Sequence, residues 1–233
     1  MTYFMEAFFK ALELLFSFDP ELYGIIFLTL RISTIALLIS CLIGIPFGLF
    51  IAMKKFPGRG LLLNIINTFM GLPPVVVGLV VYVLLSNQMG LFGDLRLLFT
   101  PTAMIIAQVV LALPIVTGLT HTAVKSLDSL VTKTAVTMGA SPFQLSLTVL
   151  KEARYGIGTA VISAFGRLMA EVGAVMMVGG NVRYQTRVMT TAIALQKGMG
   201  EFQTALALGT ILLILSFIIN FLLELLRKGK EAL

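Results

Sequence analysis

Long apolar stretches separated by short polar ones dominate the pattern of the chain. Each stretch has at least 20 residues, and a helix of that length crosses a hydrocarbon core of about 30 Å. The pattern therefore predicts an all-α integral membrane protein with five transmembrane helices. Their approximate limits are residues 24–53, 61–86, 101–123, 155–180 and 205–227.

The N-terminal stretch 2–18 follows a different pattern. Glu6, Lys10 and Glu13 recur at i, i+4 and i+7 among apolar residues, so they share one helical face. This predicts an amphipathic helix that lies in the membrane interface and ends at Asp19-Pro20. The predicted organisation is an N-terminal helix over 1–21, a transmembrane domain over 22–227 and a tail over 228–233.

Two spans carry residues that bend helices or bring them close together. Gly71-Leu72-Pro73-Pro74 lies near the middle of the second span, and proline removes a backbone donor and kinks a helix. In the first span Gly44 and Gly48 form a GxxxG pair, a spacing of small residues that permits close helix approach.

A polar interval between the third and fourth spans, Lys125–Arg154, has its own helical design. Apolar residues recur at helical spacing over Ser126–Met138, which predicts an amphipathic helix. Gly139 follows, where a helix end favours a left-handed residue. A second helix is expected next, with its N-cap, first position and capping box at Ser141, Pro142 and Gln144. The pattern alone assigns no purpose to this element, and an ordinary helical connection is its simplest interpretation.

The composition agrees with a membrane protein. The chain has 233 residues, of which 58% are hydrophobic and 12% charged, whereas soluble domains carry about twice that charged fraction. The formal charge of +6 would suggest a nucleic-acid partner in a soluble protein. Here it reflects basic loops, and no nucleic-acid partner is expected.

The distribution of lysine and arginine predicts the orientation. One set of loops holds ten of them and the other holds five. The richer set includes Lys125–Arg154 and the residues after the last span. The positive-inside rule therefore places the N-terminus outside and both Lys125–Arg154 and the C-terminus in the cytoplasm of a cell-membrane protein.

Catalytic and metal-binding patterns are missing from the sequence. His121 is the only histidine and Cys41 the only cysteine, so neither a histidine cluster nor an intrachain disulfide can form. No G-x-x-x-x-G-K-[ST] loop occurs, so this chain is not expected to hydrolyse ATP. It is also not expected to hold a cofactor or a metal. If transport is energised, a partner must supply the energy.

Three ionisable residues lie at membrane depth. Arg167 and Glu171 are four positions apart and can pair on one helix face. Such a pair either fastens the fourth span to its neighbours or belongs to a gate or substrate path. Arg31 lies near the end of the first span, where its long side chain can reach the interface.

The loop 181–204 carries positive charge on the side that the topology rule leaves poor in it. Its basic residues are Arg183, Arg187 and Lys197, against Glu201 alone. Asn181 and Thr186 add polar groups, and arginine forks suit oxyanions. The loop is either an anion-attracting vestibule or a solvated loop with incidental charge.

The helical interval carries a recognisable motif. From Lys133 to Pro142 it resembles the EAA loop of ABC-importer permeases, which docks on an ATP-binding subunit. The matching positions are Lys133, Ala135, Gly139, Ala140, Ser141 and Pro142. The sequence departs from the motif where Lys133 replaces its glutamate and where Lys151-Glu152 replaces its Leu-Pro.

Two further segments make the resemblance to ABC-importer permeases more specific. Leu72-Pro-Pro-Val-Val-Val-Gly78 and Arg167-Leu-Met-Ala-Glu171-Val-Gly173-Ala are similar to segments of molybdate permeases. The run GAVMMVGGN followed by RVMTTAIAL is closer to the tungstate branch of the same family.

The resemblance implies a homodimer with one translocation path, two cytoplasmic ATP-binding subunits that use ATP and Mg²⁺, and an extracytoplasmic tungstate-binding protein. The chain itself is expected to contact membrane lipid. A molybdate, sulfate or phosphate permease of the same architecture is the alternative. From another class, the chain could be the membrane anchor subunit of an enzyme.

Overall fold

The computed structural model describes residues 2–88 and 90–228, so residues 229–233 of the predicted tail lie outside it. The regular elements of the described part are helical, which confirms the all-α class. The α-helices are α1 (Thr2–Phe16), α2 (Pro20–Met53), α3 (Arg59–Met70), α4 (Pro74–Leu85), α5 (Pro101–Lys125), α6 (Ser129–Thr137), α7 (Pro142–Glu152), α8 (Arg154–Met169), α9 (Gly173–Gly179), α10 (Met189–Gly198) and α11 (Phe202–Lys228). A single 3₁₀ turn, Gly93–Leu95, precedes α5.

Three helices of the described part are long and apolar enough to cross a membrane: α2, α5 and α11. The second and fourth predicted spans are each a pair of shorter helices. Helices α3 and α4 meet at 102° and helices α8 and α9 at 56°, so the number of spans reaches five if each bent pair is one span.

The bend between α3 and α4 follows from the sequence Gly71-Leu72-Pro73-Pro74. Pro73 caps α4 with an extended backbone (φ −63°, ψ 125°), and Pro74 takes the first helical position. A residue that precedes proline is driven away from helical angles, so Pro74 forces Pro73 out of the helix. Pro46 and Pro114, by contrast, lie inside the continuous helices α2 and α5.

Helix α5 lies at the centre of the bundle and contacts α2, α3, α4, α8 and α9. Its contact with α2 is close at the predicted GxxxG pair. A Cβ added at Gly48 would lie 2.6 Å from the carbonyl oxygen of Thr117, and one at Gly44 would lie 3.0 Å from Val116 Cγ1. The small residues therefore let the two backbones approach, as the spacing predicts.

The N-terminal helix packs onto the last one. Ala7 and Ala11 of α1 are buried, and Ala11 joins Leu208 and Ile211 of α11 in one apolar cluster. Asp19 both follows α1 and caps α2, since its side chain accepts a hydrogen bond from the Glu21 N–H at 3.0 Å. The N-terminus of α2 is thereby fixed beside the loop that precedes α10.

Candidate functional site

The interval Lys125–Arg154 folds into α6, a turn at Gly139 and α7, as its sequence predicts. Gly139 is left-handed with φ +78°. The Ser141 Oγ accepts from the Gln144 N–H at 3.3 Å, and the Gln144 side chain accepts from the Ser141 N–H at 2.8 Å. The capping box is therefore formed. Helix α6 begins at Ser129 rather than Ser126, because Asp128 is the N-cap that accepts from the Leu130 N–H at 2.9 Å.

One face of the α6–α7 pair packs against the ends of α2 and α5, and the other face is exposed. Val149 and Ala153 are buried in a cluster with Leu49, Ala52 and Val124, at the ends of α2 and α5. Five large apolar side chains of the pair are exposed: Leu130, Val136, Met138, Phe143 and Leu147. Exposed apolar surface on a polar element is typical of a protein-binding site.

A cleft of about 770 Å³ lies between α6 and α7. Its lining includes Ala135, Gly139, Ala140 and Gln144, and Glu152 lies at its rim. Lys133 is exposed and is not part of this lining. The lining thus includes three of the six motif positions, Ala135, Gly139 and Ala140, and the charge of Lys133 is open to solvent.

The two other motif segments meet at the two bends. Helix α4 packs along α9, so that a Cβ at Gly78 would lie 2.8 Å from Ala174 Cα. A Cβ at Gly173 would lie 2.8 Å from Val75 Cγ2. Residues about one hundred positions apart in sequence therefore form one contact, which only glycine allows.

The predicted ion pair between Arg167 and Glu171 is not formed. Helix α8 ends at Met169, so the two residues do not share a helical face. Glu171 is buried, and its Oε1 accepts from the Ala174 N–H at 2.8 Å, while Arg167 is exposed and has no carboxylate within 4.0 Å among the described residues. Arg31 is also exposed.

Side chains satisfy the backbone carbonyls at the bend between α8 and α9. Thr190 Oγ1 donates to the Glu171 carbonyl at 2.7 Å, and Gln108 Nε2 donates to the Leu168 carbonyl at 3.4 Å. Gln108 is 3% exposed, and its Oε1 has no hydrogen-bond partner in the part of the chain that the structure describes. In the membrane a broken helix needs such donors, so these two residues stabilise the break.

Both arginines of the loop 181–204 pair with Glu21. Arg183 donates to Glu21 through Nε at 2.9 Å and through an Nη at 2.5 Å, and Arg187 donates through an Nη at 3.2 Å. The hydrogen bond that Arg183 donates to Glu21 raises the pKa of the Arg183 guanidinium above its usual value. The sequence places only Glu201 against these arginines. In the structure Glu21, from the N-terminus of α2, pairs with both, and its single negative charge offsets one of their two positive charges.

Thr186 and Asn181 serve the fold of this loop. Thr186 is fully buried; its hydroxyl donates to the Gly179 carbonyl at 2.5 Å and accepts from the Val182 N–H at 2.9 Å. Asn181 has φ +51°, and its Oδ1 is buried without a hydrogen-bond partner among the residues that the structure describes. In this conformation the Thr186 hydroxyl is committed to the turn and does not face an anion.

The sequence prediction missed three residues. Asp128 follows the pattern of an N-cap and could have been found. Gln108 is an amide within an apolar span, which is itself a signal of a polar contact. Glu21 carries no signal, because nothing local links it to residues 162 positions away. Within the described residues no group of three or more His, Cys, Asp or Glu could hold a metal ion.

The described part of the chain combines long apolar helices, two bent helix pairs and a projecting helix–glycine–helix element. Residues 44–231 match the family of the binding-protein-dependent transport system inner membrane component, and the chain belongs to this family of ABC-importer permeases.

Relatives with assigned substrates are similar over most of their length. The tungstate uptake system permease protein TupB of Peptoclostridium acidaminophilum is 42% identical, covering 94% of this chain and 96% of the relative. TupB of Campylobacter jejuni is 36% identical over 98% and 95%. The molybdenum transport system permease protein ModB of Escherichia coli is 28% identical over 75% and 79%.

Solved structures share the fold. A bacterial ABC transporter that imports the polysaccharide alginate superimposes with a TM-score of 0.78 at 19% identity, covering 95% of this chain and 83% of that one. A methionine ABC transporter in an inward-facing conformation gives a TM-score of 0.71 at 19% identity, covering 90% and 95%.

Proposed function

We propose that this chain is the membrane-spanning permease of an ATP-driven importer that carries tungstate across the cell membrane. The observation that supports tungstate as the substrate is the 42% identity to a tungstate permease over 94% of the chain, against 28% identity to a molybdenum permease over 75%. Because the helical framework is common to importers of unlike substrates, the substrate is proposed from sequence similarity and not from the fold.

The exposed face of α6 and α7 is proposed to dock on an ATP-binding subunit, one for each permease. The apolar side chains of Met138 and Phe143, which are 82% and 72% exposed, supply the contact area. Helix α8 starts two residues after α7 ends. A movement of the docked pair would therefore pass along α8 to the bend at Ala170–Val172, as expected of rigid-body coupling.

The second copy of the chain is proposed to contact α4. Four of its apolar side chains, Val75, Val76, Leu79 and Val80, are each about half exposed. This face lies beside the bend that carries the motif glycines. A homodimer built on it would place both bends around one translocation path.

The orientation of the sequence prediction is retained in this proposal. The α6–α7 pair and the C-terminus lie in the cytoplasm, and the loop 181–204 faces an extracytoplasmic tungstate-binding protein. ATP and Mg²⁺ belong to the partner ATPase. One solved structure of similar fold is an alginate transporter in complex with a substrate-bound periplasmic protein, which supports a binding protein as a partner.

Reconstitution tests the proposal. The permease, its ATPase and its binding protein are placed in liposomes, and uptake of tungstate, molybdate and sulfate is compared. Tungstate uptake that requires ATP and exceeds molybdate uptake is expected. Preferred uptake of molybdate, sulfate or phosphate would establish the alternative substrate, and a chain that co-purifies with an enzyme and supports no uptake would be an anchor subunit.

A further inference from the structure

The contact between Glu21 and the two arginines leaves most of the guanidinium donors unused. Two arginine side chains offer ten N–H groups, and Glu21 accepts three hydrogen bonds from them. The Arg187 side chain is 17% exposed, and its Nε is buried without a hydrogen-bond partner among the described residues. One carboxylate therefore satisfies neither the donors nor the full positive charge of the pair.

Space for a ligand lies on both sides of this contact. A cavity of about 420 Å³ is lined by Asp19, Glu21, Arg183 and Arg187, with Gln196 and Thr204 as further polar groups. A second cavity of about 180 Å³ is also lined by Glu21 and Arg187. Both cavities therefore bring solvent or an ion to the partly buried guanidinium of Arg187.

We propose that Arg183 and Arg187 form a binding site for a tetrahedral oxyanion, and that the Glu21 carboxylate occupies this site when the anion is absent. The proposal rests on the proposed transport function for the identity of the anion. A tetrahedral dianion carries more charge and more acceptor oxygens than a carboxylate, so it can use the donors that Glu21 leaves free. Glu21 is thus an internal competitor that sets the anion concentration at which the site fills.

Glu21 also joins α2 to the loop that carries the two arginines, so its displacement affects a contact between two structural elements. Glu21 belongs to the first turn of α2, and the arginines belong to the loop between α9 and α10. An anion that takes over the arginines removes these hydrogen bonds between α2 and the loop, while the hydrogen bond from the Met189 N–H to Thr29 Oγ1 still joins α2 to the start of α10. Substrate arrival is thereby linked to the loss of one of the contacts between these elements.

The test measures anion binding to the purified permease–ATPase complex in a maltoside detergent, without the binding protein. Equilibrium dialysis against tungstate, molybdate or sulfate is followed by elemental analysis. The Glu21→Gln variant removes the competing charge and is expected to bind tungstate about tenfold (about 1.4 kcal/mol) more tightly than the wild type. Adding Arg183→Gln and Arg187→Gln to this variant should abolish the gain.

Glu201→Gln is the matched control, because Glu201 is an exposed carboxylate of the same loop region and forms no ion pair within the described residues. Its affinity should equal that of the wild type. Glu21→Gln binding no more tightly than the wild type, or a gain that survives loss of both arginines, would refute the site. If Glu21→Gln does not fold, tungstate should still raise the Tm of the wild type and not that of Arg183→Gln/Arg187→Gln; equal shifts would also refute it.

The outcomes separate the site from the substrate assignment. A gain confined to molybdate or sulfate supports the site and overturns tungstate as the substrate. No gain with any anion, together with ATP-dependent tungstate uptake by the wild type, overturns the site alone. Displacement of bound tungstate by short-chain phosphatidylglycerol at lower concentrations than by molybdate would assign the arginines to a lipid headgroup and overturn a substrate site.

Discussion

Gly78 of α4 lies against the backbone of Ala174 of α9, at a distance that would place an added Cβ 2.8 Å from Ala174 Cα. The contact joins the second halves of the two bent spans. Both helices of the pair also pack on the central helix α5, so the contact joins the two bends to the core of the bundle.

Replacing Gly78 by alanine should disrupt this pair. The neighbouring atom belongs to the backbone and cannot rotate away, so overpacking of about 1–3 kcal/mol is expected. The variant should show a lower Tm in detergent and reduced uptake. Gly166→Ala is the control, because Gly166 is helical and has nothing within 4 Å of its added Cβ. Equal Tm values for the two variants would contradict the close contact.

Gly139, in the turn between α6 and α7, should not tolerate a side chain even though the space around it is open. A Cβ there meets nothing within 4 Å, yet φ is +78°, so Gly139→Val is strained by the backbone at a cost of about 1–2 kcal/mol. Loss of ATP-dependent uptake is expected, since the two docking helices change their relative angle. Gly58→Val carries similar strain at φ +81° with open space and should keep the coupling. Uptake lost equally in both variants would remove Gly139 from the coupling role.

Phe143 should contribute to ATPase docking. It is 72% exposed on α7, and Phe143→Ala is expected to leave the permease folded while weakening its association with the ATPase at least tenfold, as for an aromatic contact residue. Affinity is measured by titrating the ATPase against permease in nanodiscs. Phe217→Ala, at a side chain 71% exposed on α11, should leave affinity unchanged. Unaltered affinity of Phe143→Ala would exclude this face.

Thr190 should stabilise the bend of the fourth span. Thr190→Val keeps the shape and leaves the buried Glu171 carbonyl without its 2.7 Å donor, at a cost of about 1–3 kcal/mol. A lower Tm is the expected result. Thr210→Val removes a hydroxyl that bonds only within its own helix, to the Leu206 carbonyl, and should have little effect. Matching Tm values would show that the Glu171 carbonyl finds another donor.

Cysteine cross-linking tests the proposed dimer. In a Cys41→Ser background, Val76→Cys or Val80→Cys on the exposed face of α4 should give disulfide-linked dimers in membranes, because residues near a two-fold axis meet their own copies. Phe217→Cys on α11 should remain monomeric. Cross-linking through α11 and not through α4 would place the dimer interface on α11.

The sequence by itself determined the features that depend on neighbours along the chain. Apolar runs marked the membrane helices, Ser141 with Gln144 formed its capping box, and Gly139 ended its helix. These are properties of one or two turns of backbone, where hydrogen bonding and allowed φ/ψ angles depend on adjacent residues.

The tertiary structure decided which distant groups meet. Arg167 and Glu171 have the spacing of an ion pair, yet α8 ends between them at Met169, and Thr190 and Gln108 from other helices donate to carbonyls at this break. Glu21 meets Arg183 and Arg187 because α1 packs on α11 and fixes the start of α2 beside the loop. Such contacts depend on how helices pack in space, and no local pattern records that packing.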